Sequence, residues 1–343
     1  MIKNFLSFIL VVLIGISITA CEKKQEASKE TTKASTEVKG EKLVRLGFPG
    51  SQNFLGGVAG IAQEKKFFDE ELKKVGYKIE YVPFAAAGPA VNEALAGKQI
   101  DFAIYADFPG VVLKSKGIDI DLLGITDNKI HSTIVIKNDS KISSIKDLKG
   151  KKIGFTKGTY MQKFLIEILD KNGLTTNDVE LINVTTDAES ALITGNIDAL
   201  VQTDTQALQL TVTKKIAKEL DSTRNYPELS AQSVFVGDHK FAKDNPEVPV
   251  AIQKALVKAR EYFKNNTEDS YKILTKSGLD LEAIKKQYDS ESPEFEIFTL
   301  DITQDSIKRL DETQKYLIDQ ELITNKFDTE KWSDNSYYEK AIK

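Results

Sequence analysis

The chain has 343 residues, with 47 basic and 51 acidic side chains and a formal net charge of −4. This mild acidic excess argues against nucleic acid as a partner, because nucleic-acid-binding proteins carry strongly basic surfaces. A single cysteine excludes an intrachain disulfide. The length exceeds what one hydrophobic core usually holds, so it predicts two lobes.

The first residues have the layout of a secretory signal. Lys3 supplies a positive start, residues 5–18 are an apolar run, and small residues precede Cys21. The run of roughly 14 residues is shorter than the ~20 that a spanning helix needs, so we expect residues 1–20 to be removed. The stretch Ile18-Thr19-Ala20-Cys21 resembles the lipobox of bacterial lipoproteins, in which the cysteine receives a lipid. The alternative is an ordinary signal peptide with an incidental cysteine.

A polar segment follows the cysteine. Residues 22–41 contain almost no large apolar side chain and are rich in Lys, Glu, Ser and Thr. Such a segment cannot offset the entropy cost of ordering. We therefore predict a lipidated cysteine and a flexible tether over residues 21–41.

Alternating strands and helices begin at residue 43. Strands are predicted at residues 43–48, 78–84 and 100–105, with a helix from residue 53 to 68 and another at residues 89–96. Strands that are separated by helices predict a mostly parallel sheet with helices on both faces.

A second series of the same kind begins near residue 145. It contains a short helix, a strand that ends at Phe155, strands at residues 179–184 and 197–201, and a helix at residues 188–194. Its clearest helix follows Thr159, because apolar residues recur there at helical spacing and Gly173 marks the end.

The two series match in detail. Gly47-Phe48 ends a strand in the first series and Gly154-Phe155 does so in the second. The pair Ile100-Asp101 corresponds to Ile197-Asp198, and Asp107 and Asp204 each follow six residues after that aspartate. This order predicts two lobes of similar topology.

We therefore predict an α/β fold with two lobes joined by two crossover strands. Lobe 1 is assigned residues 42–130 and 237–343, including a helical C-terminal tail, and lobe 2 residues 131–236. The crossings are expected near residues 128–135 and 231–237, which are extended and β-prone. Ligands of open α/β sheets bind beyond the carboxyl ends of the strands, here at the turns 49–53, 105–109, 156–161 and 202–206.

These turns open helices with small or polar residues, so their backbone N–H groups favour an anion. Ser51, Gln52, Thr159 and Tyr160 are candidates for additional side-chain hydrogen bonds. For Ser51 and Thr159 the alternative is a simple N-cap.

Two aspartates and two tyrosines at the turns have alternative roles. Asp107 and Asp204 either cap the helices that follow or face the ligand, where a carboxylate favours an amine or a hydroxyl donor. Tyr105 and Tyr160 are candidates for apolar walls of the site, although aromatic residues at strand ends are also common in cores.

Catalysis has little support in the sequence. His131 and His239 have no acidic or cysteine partners at metal-ligand spacing, and phosphate-binding or hydrolase motifs are missing. We expect no enzyme activity and no cofactor.

The chain resembles the solute-binding proteins of ABC importers, in particular the aliphatic-sulfonate, nitrate and taurine group. The resemblance covers about residues 43–236. Its motifs are Leu46-Gly47-Phe48, Ala62-Gln63-Glu64-Lys65-Lys66-Phe67-Phe68, Glu93-Ala94-Leu95 with Ile100-Asp101-Phe102-Ala103, Tyr105-Ala106-Asp107-Phe108-Pro109, Asp147-Leu148-Lys149-Gly150-Lys151-Lys152-Ile153, Lys157-Gly158-Thr159 and Gly195-Asn196-Ile197-Asp198-Ala199.

The resemblance implies a type II periplasmic-binding-protein fold that closes on its ligand and delivers it to a permease. It implies ligand contacts from residues of all four turns and from the return crossing, namely Gly50, Ser51, Gln52, Ala106, Asp107, Thr159, Tyr160, Gln202, Asp204 and Ser233. Two departures bear on the ligand. Tyr105-Ala106 stands where sulfonate binders often have Ser or Thr followed by Gly, and Thr203-Asp204-Thr205 stands where they tend to have Trp-Asp-Pro. In addition, none of the four turns contains an arginine that could hold an anion bidentately.

The leading hypothesis is a monomeric, lipid-anchored, extracytoplasmic binding protein that serves an ABC permease and its ATPase. Its expected ligand is an alkanesulfonate or a taurine-like compound. A binder of a thiamine-precursor pyrimidine or an amine is the alternative within transport, and a ligand-sensing surface lipoprotein without a transporter is the alternative outside it.

Overall fold

The computed structural model describes residues 42–288 and 297–343. Cys21, the predicted signal sequence and the predicted tether lie outside these residues. Within the described ranges, no helix is both long enough and apolar enough to cross a membrane.

The strands form two five-stranded sheets. In chain order they are β1 (Lys42–Pro49), β2 (Tyr77–Phe84), β3 (Phe102–Ala106), β4 (Ile120–Ile130), β5 (Ser132–Lys137), β6 (Lys152–Phe155), β7 (Glu180–Asn183), β8 (Ala199–Thr203), β9 (Ala217–Ser222) and β10 (Ala231–Asp238). Sheet A, in lobe 1, has the order β2-β1-β3-β10-β4, and sheet B, in lobe 2, has the order β7-β6-β8-β5-β9.

The helices cover both sheets, and a short π-helix at Gln209–Thr213 continues α7. In chain order the α-helices are α1 (Gly57–Glu64), α2 (Phe67–Lys74), α3 (Ala87–Ala96), α4 (Asp107–Ser115), α5 (Tyr160–Lys171), α6 (Ala188–Thr194), α7 (Asp204–Leu208), α8 (His239–Asp244), α9 (Glu247–Asn265), α10 (Thr267–Leu274), α11 (Leu281–Tyr288), α12 (Gln304–Asp319), α13 (Thr329–Trp332) and α14 (Ser336–Ala341). Short 3₁₀ turns lie at Ile145–Leu148, Thr176–Asp178, Pro227–Leu229 and Thr275–Ser277.

Each sheet is mixed, with two parallel and two antiparallel strand pairings, whereas the sequence predicted mostly parallel sheets. Strand β10 runs antiparallel to β3 and β4 in sheet A, and β5 runs antiparallel to β8 and β9 in sheet B. The second, first and third strands of each series stand side by side in that order. The predicted α/β fold with two echoing lobes is confirmed.

The matching aspartates and glycines have the same structural role in both lobes. The Asp101 carboxylate accepts a hydrogen bond from the backbone N–H of Arg45 at 2.8 Å, and Asp198 accepts one from Lys152 at 2.9 Å. A Cβ atom at Gly47 would lie 2.3 Å from Cδ1 of Ile100, and a Cβ atom at Gly154 would lie 2.5 Å from Cδ1 of Ile197. The repeated motif therefore fixes how the third strand joins the first.

Two boundaries differ from the predictions. The helix expected from residue 53 begins only at Gly57, after an open turn, and a second helix begins at Phe67. Residues 231–236, which the sequence assigned to lobe 2, belong to β10 and pair with β3 and β4 of sheet A. An extended, β-prone segment does not reveal which sheet it joins. The chain passes between the sheets at His131 and again over residues 223–230.

The C-terminal helices pack on lobe 1. The apolar face of α9, with Val248, Ile252 and Phe263, joins Leu46 and Ile61 in one core cluster. Leu310 and Leu317 of α12 join a second cluster on the opposite face of sheet A. Sheet B also has a core cluster on each face, so each lobe has its own core.

Candidate functional site

The two lobes meet along the edge where the carboxyl ends of the parallel strands lie. On one side, Tyr160 and Ile166 of α5 pack against the lobe-1 cluster that contains α4 and α12. On the other side, Leu208 and Val212 of lobe 2 belong to the lobe-1 cluster that contains Tyr288. The lobes are therefore in contact on both sides of the cleft.

The starts of α3 and α5 face each other across this cleft. A Cβ atom at Gly158, just before α5, would lie 3.3 Å from Cγ of Pro89 in the first turn of α3. Neither helix has a side-chain cap hydrogen bond at its N-terminus. Two sets of first-turn N–H groups, one from each lobe, are thus left without side-chain caps at the point of closest approach.

Thr159 occupies the N-cap position of α5 without acting as a cap. Its buried hydroxyl donates to the carbonyl of Thr156 at 2.7 Å, while the Gly158 N–H donates to Oε1 of Gln162 at 2.8 Å. The simple N-cap alternative therefore does not hold for this side chain. Ser51 is exposed and lies six residues before α1, so it does not cap that helix either.

Asp107 is buried in lobe 1 at the start of α4. Its Oδ1 accepts from the N–H of Phe108 at 2.7 Å, and its Oδ2 accepts from the hydroxyl of Thr313 at 3.4 Å. Burial raises the pKa of the Asp107 carboxyl, although Lys163 and Arg309 act in the opposite direction. Both carboxylate oxygens of Asp107 thus accept hydrogen bonds within lobe 1, one of them from the first turn of α4, which favours the capping role over a ligand contact.

Asp204 forms an ion pair that the sequence did not suggest. Both of its carboxylate oxygens accept from the guanidinium of Arg224, with an Oδ2–Nη2 distance of 2.8 Å, and Arg224 also donates to the carbonyl of Gln287 at 3.2 Å. Arg224 lies 20 residues further along, in the return crossing, so no local pattern linked it to the turn after β8. An arginine from outside the four turns therefore lies at the turn after β8, with its guanidinium engaged by Asp204.

Three carboxylates act on the hydroxyl of Tyr160. Burial raises its pKa, and the carboxylates of Asp204, Asp127 and Asp107 raise it further. Tyr288, from lobe 1, is also buried, and Asp127 and Asp204 add to the rise of its pKa. Asp127 and Tyr288 are therefore site candidates that sequence reasoning missed, because long-range packing alone brings them to the cleft.

The other predicted residues have different surroundings. Gly50 and Gln52 lie in the open turn before α1, where Gln52 is exposed. Tyr105 is 2 % exposed and packs with Trp332 in the core of lobe 1, so it does not form a wall of the cleft. Ala106 is the N-cap residue of α4, and Gln202 is buried on β8 beside Thr133.

Ser233 is already engaged by its neighbours in sheet A. Its hydroxyl accepts from Thr126 at 2.8 Å and donates to the carbonyl of Tyr105 at 3.4 Å. A ligand contact from this side chain would have to compete with both bonds.

Neither histidine belongs to a metal-binding group. His131 contacts the Thr223 hydroxyl at 2.9 Å, and His239 contacts Asp121 at 2.7 Å. Among residues 42–288 and 297–343, no three His, Cys, Asp or Glu side chains are grouped to hold a metal ion. A surface pocket of about 380 Å³ lies away from the cleft, lined by residues of α2, α9 and α14.

The family model described as "NMT1/THI5 like" matches residues 57–270, which include both crossings and most of both sheets. The chain belongs to this family. A Bacillus subtilis (strain 168) protein with a provisional assignment as an aliphatic sulfonates-binding protein is 29% identical over 312 residues, which are 90% of this chain and 91% of that protein.

Solved structures support the fold. A periplasmic sulfonate-binding protein, provisionally assigned as such, from Methylobacillus flagellatus KT has a TM-score of 0.73 at 24% identity, over 89% of this chain and 95% of that one. The alkanesulfonate-binding protein from Xanthomonas axonopodis pv. citri, bound to MOPS, has a TM-score of 0.72 at 22% identity, over 85% and 98%. This chain has the same type II periplasmic-binding-protein fold.

The fold alone does not separate binding from catalysis. A desulfurization enzyme shares it with a TM-score of 0.70 at 15% identity, covering 88% of this chain and 99% of the enzyme. The relative that matches over nine-tenths of the present chain is named for binding. The residues of the site, and not the fold, therefore distinguish a binding protein from an enzyme.

Proposed function

We propose that this protein is the substrate-binding component of an ABC importer and that it holds a small alkanesulfonate or taurine-like ligand between its lobes. The observation that carries the proposal is the approach of the uncapped starts of α3 and α5 from opposite lobes. Helix N-termini favour anions through their free N–H groups and their dipoles. The names of the Bacillus and Xanthomonas proteins support the choice of a sulfonate.

In this proposal, backbone groups carry most of the anion recognition. The guanidinium of Arg224 is engaged by Asp204, so it is not free to grip a sulfonate bidentately. Thr159, Tyr160 and Gln202 are the side chains from lobe 2 that we expect at the ligand. From lobe 1 we expect the side chains of Ser51 and Gln52 and the backbone of Gly50. Binding energy would then depend on closing the lobes around the ligand.

We propose that the protein acts outside the cytoplasm as a monomer, held near its permease and ATPase by a lipid on Cys21. The lipobox-like residues 18–21 motivate the anchor. Replacing Cys21 with Ser removes the thiol that receives the lipid, and the acyl chains of that lipid are what would hold the protein at the membrane. The substitution should therefore move the protein from the membrane fraction to the soluble extracytoplasmic fraction. A membrane fraction unchanged by the substitution would contradict the anchor.

Isothermal titration of the purified full-length protein tests the ligand class. Ethanesulfonate, taurine and nitrate are the anionic or zwitterionic ligands, and a thiamine-precursor pyrimidine is the comparison ligand. We expect saturable binding of at least one sulfonate with a negative heat-capacity change, because closure buries apolar surface. If every sulfonate gave only its heat of dilution, with no binding signal, the sulfonate assignment would be wrong.

One observation favours a second ligand class. The carboxylates of Asp204, Asp127 and Asp107 all act to raise the pKa of the Tyr160 hydroxyl. An acidic environment favours a protonated amine or an amine-bearing pyrimidine over a plain anion. Binding of the pyrimidine without binding of ethanesulfonate would favour this alternative. Taurine carries both a sulfonate and an amine, so its binding alone does not separate the two ligand classes.

A further inference from the structure

Arg309, on helix α12, contacts both crossings between the lobes. Its guanidinium donates to the carbonyl of Asn128, near the end of β4. It also donates to the carbonyl of Ser230 at 2.9 Å, to the Ser230 hydroxyl at 3.1 Å and to the carbonyl of Ala231 at 3.4 Å. One side chain therefore holds the lobe-1 ends of two segments that are far apart in the sequence.

Thr223 joins the same two segments on the lobe-2 side. Its backbone N–H donates to the carbonyl of Ser132 at 3.0 Å, and its hydroxyl accepts from the Ser132 N–H at 3.1 Å. The hydroxyl also contacts His131. This pair of hydrogen bonds and Arg309 therefore bracket each crossing, at residues 129–131 in the first and at residues 224–229 in the second.

Lobe closure in two-lobed proteins is produced by dihedral changes in a few residues of the connecting segments. A guanidinium has five donors in a rigid planar fork, so it can fix the spacing of several carbonyls at once, whereas an ammonium acts as a point charge. Helix α12 is itself fixed to the same region, because the Gln232 side chain donates to the Ser306 carbonyl at 3.2 Å.

We propose that Arg309 is a positioning residue for ligand capture, which clamps the lobe-1 ends of both crossings and confines bending to residues 129–131 and 224–229. It does not touch the ligand. By limiting the bend to these short lengths, it directs the two lobes along one closing path and keeps the starts of α3 and α5 in register.

The chain offers a matched control. Arg260, on α9 of the same lobe, is also half-buried and donates to two carbonyls, those of Phe298 and Thr299, at 3.4 and 2.9 Å. These acceptors lie outside both crossings. Arg309→Lys and Arg260→Lys therefore remove comparable arginine–carbonyl bonds, in one case at the hinge and in the other away from it.

Amide hydrogen exchange without any ligand tests the clamp directly. In Arg309→Lys we expect exchange at residues 126–131 and 222–232 to accelerate by about tenfold or more, because several bonds from a charged donor are lost. In Arg260→Lys we expect acceleration near residues 297–300 and at the Asn128 amide, which donates to the Ile297 carbonyl at 2.7 Å. Exchange at the second crossing, residues 222–232, should be unchanged, so this crossing provides the comparison between the two arginine variants. Arg309→Gln, which removes the guanidinium but no bond within either crossing, should accelerate the same residues and keeps the test decisive if Arg309→Lys does not fold.

Equal exchange at the crossings in the wild type and Arg309→Lys, or the same change in both arginine variants, would overturn the proposal.

A titration with ethanesulfonate adds a functional test, which rests on the proposed function. We expect about tenfold weaker binding in Arg309→Lys and unchanged binding in Arg260→Lys. If the wild type does not bind the probe, the ligand assignment fails, while the exchange result still decides the role of Arg309.

Discussion

At the scale of single residues, Gly47 shows why a motif repeats. Gly47 lies against the side chain of Ile100, so a Cβ atom at position 47 would displace the Cδ1 atom of Ile100. We predict that Gly47→Ala lowers the free energy of unfolding by about 1–3 kcal/mol, the usual cost of overpacking a core. Thermal or denaturant unfolding measures this change.

Two further variants check the cause. Ile100→Val removes the Cδ1 atom that would clash, so the double variant should recover part of the loss. Gly56→Ala is the control, because no atom lies within 4 Å of a Cβ atom there. A double variant as unstable as the sum of the single variants would contradict the packing explanation.

The buried carboxyl of Asp107 predicts a pH effect. Burial raises its pKa in the folded state, so the folded protein loses stability as pH rises from the unfolded pKa through the raised folded pKa. Asp107→Asn removes this loss. The stability of the wild type relative to Asp107→Asn should therefore fall as pH rises above the ordinary pKa of an aspartate, about 4.

Asp147 provides a control of opposite sign. Hydrogen bonds from Ser143, and then from Ser144, lower the pKa of its carboxyl. Its contribution is present above the unfolded pKa and is lost as pH falls through the lowered folded pKa. The stability of the wild type relative to Asp147→Asn should thus rise with pH over the acidic range. Parallel pH profiles for the two aspartate variants would contradict these assignments.

At the scale of elements, helix α7 and its π-helical extension connect the lobes. Leu208 is 3 % exposed and belongs to a lobe-1 cluster, although its helix belongs to lobe 2. Leu210, two residues on, has the same exposure but packs in the core of lobe 2. The two leucines therefore separate the energy of closure from the energy of folding.

We predict that Leu210→Ala costs about 2–5 kcal/mol of stability, as is usual for a large-to-small core change. Leu208→Ala should instead weaken ethanesulfonate binding by about tenfold with a smaller loss of stability, because its contact joins lobe 2 to lobe 1 rather than holding one lobe together. Calorimetric titration and unfolding curves of both variants provide the comparison. Equal losses of affinity would contradict a closing role for Leu208.

Local patterns predicted some elements well and missed others. Strands β1, β2 and β6 and helices α3, α5 and α6 follow hydrophobic periodicity and turn residues, which are local signals. Strand β9 is half-exposed and lacks an alternating apolar pattern, so nothing local indicated it. Strand β10 was recognised as extended, but its sheet was not, because strand partners are set by packing over long sequence distances.

At the scale of the whole molecule, the internal repeat was sufficient to predict two lobes and the edge at which they meet. The candidate site was predicted only in part. Thr159 and Tyr160 of α5 lie at that edge, whereas Tyr105 belongs to a core. Arg224, Asp127 and Tyr288 reach the cleft through contacts that depend on how the two lobes close, and a single sequence carries no local record of such contacts.

A crystal structure of the full-length protein with ethanesulfonate tests the central claim most directly. We predict that the sulfonate lies between the lobes, with its oxygens within hydrogen-bond distance of backbone N–H groups at the start of α3, of α5, or of both. A saturating sulfonate bound on the outer surface, or held by the Arg224 side chain alone with both helix starts left empty, would contradict the account.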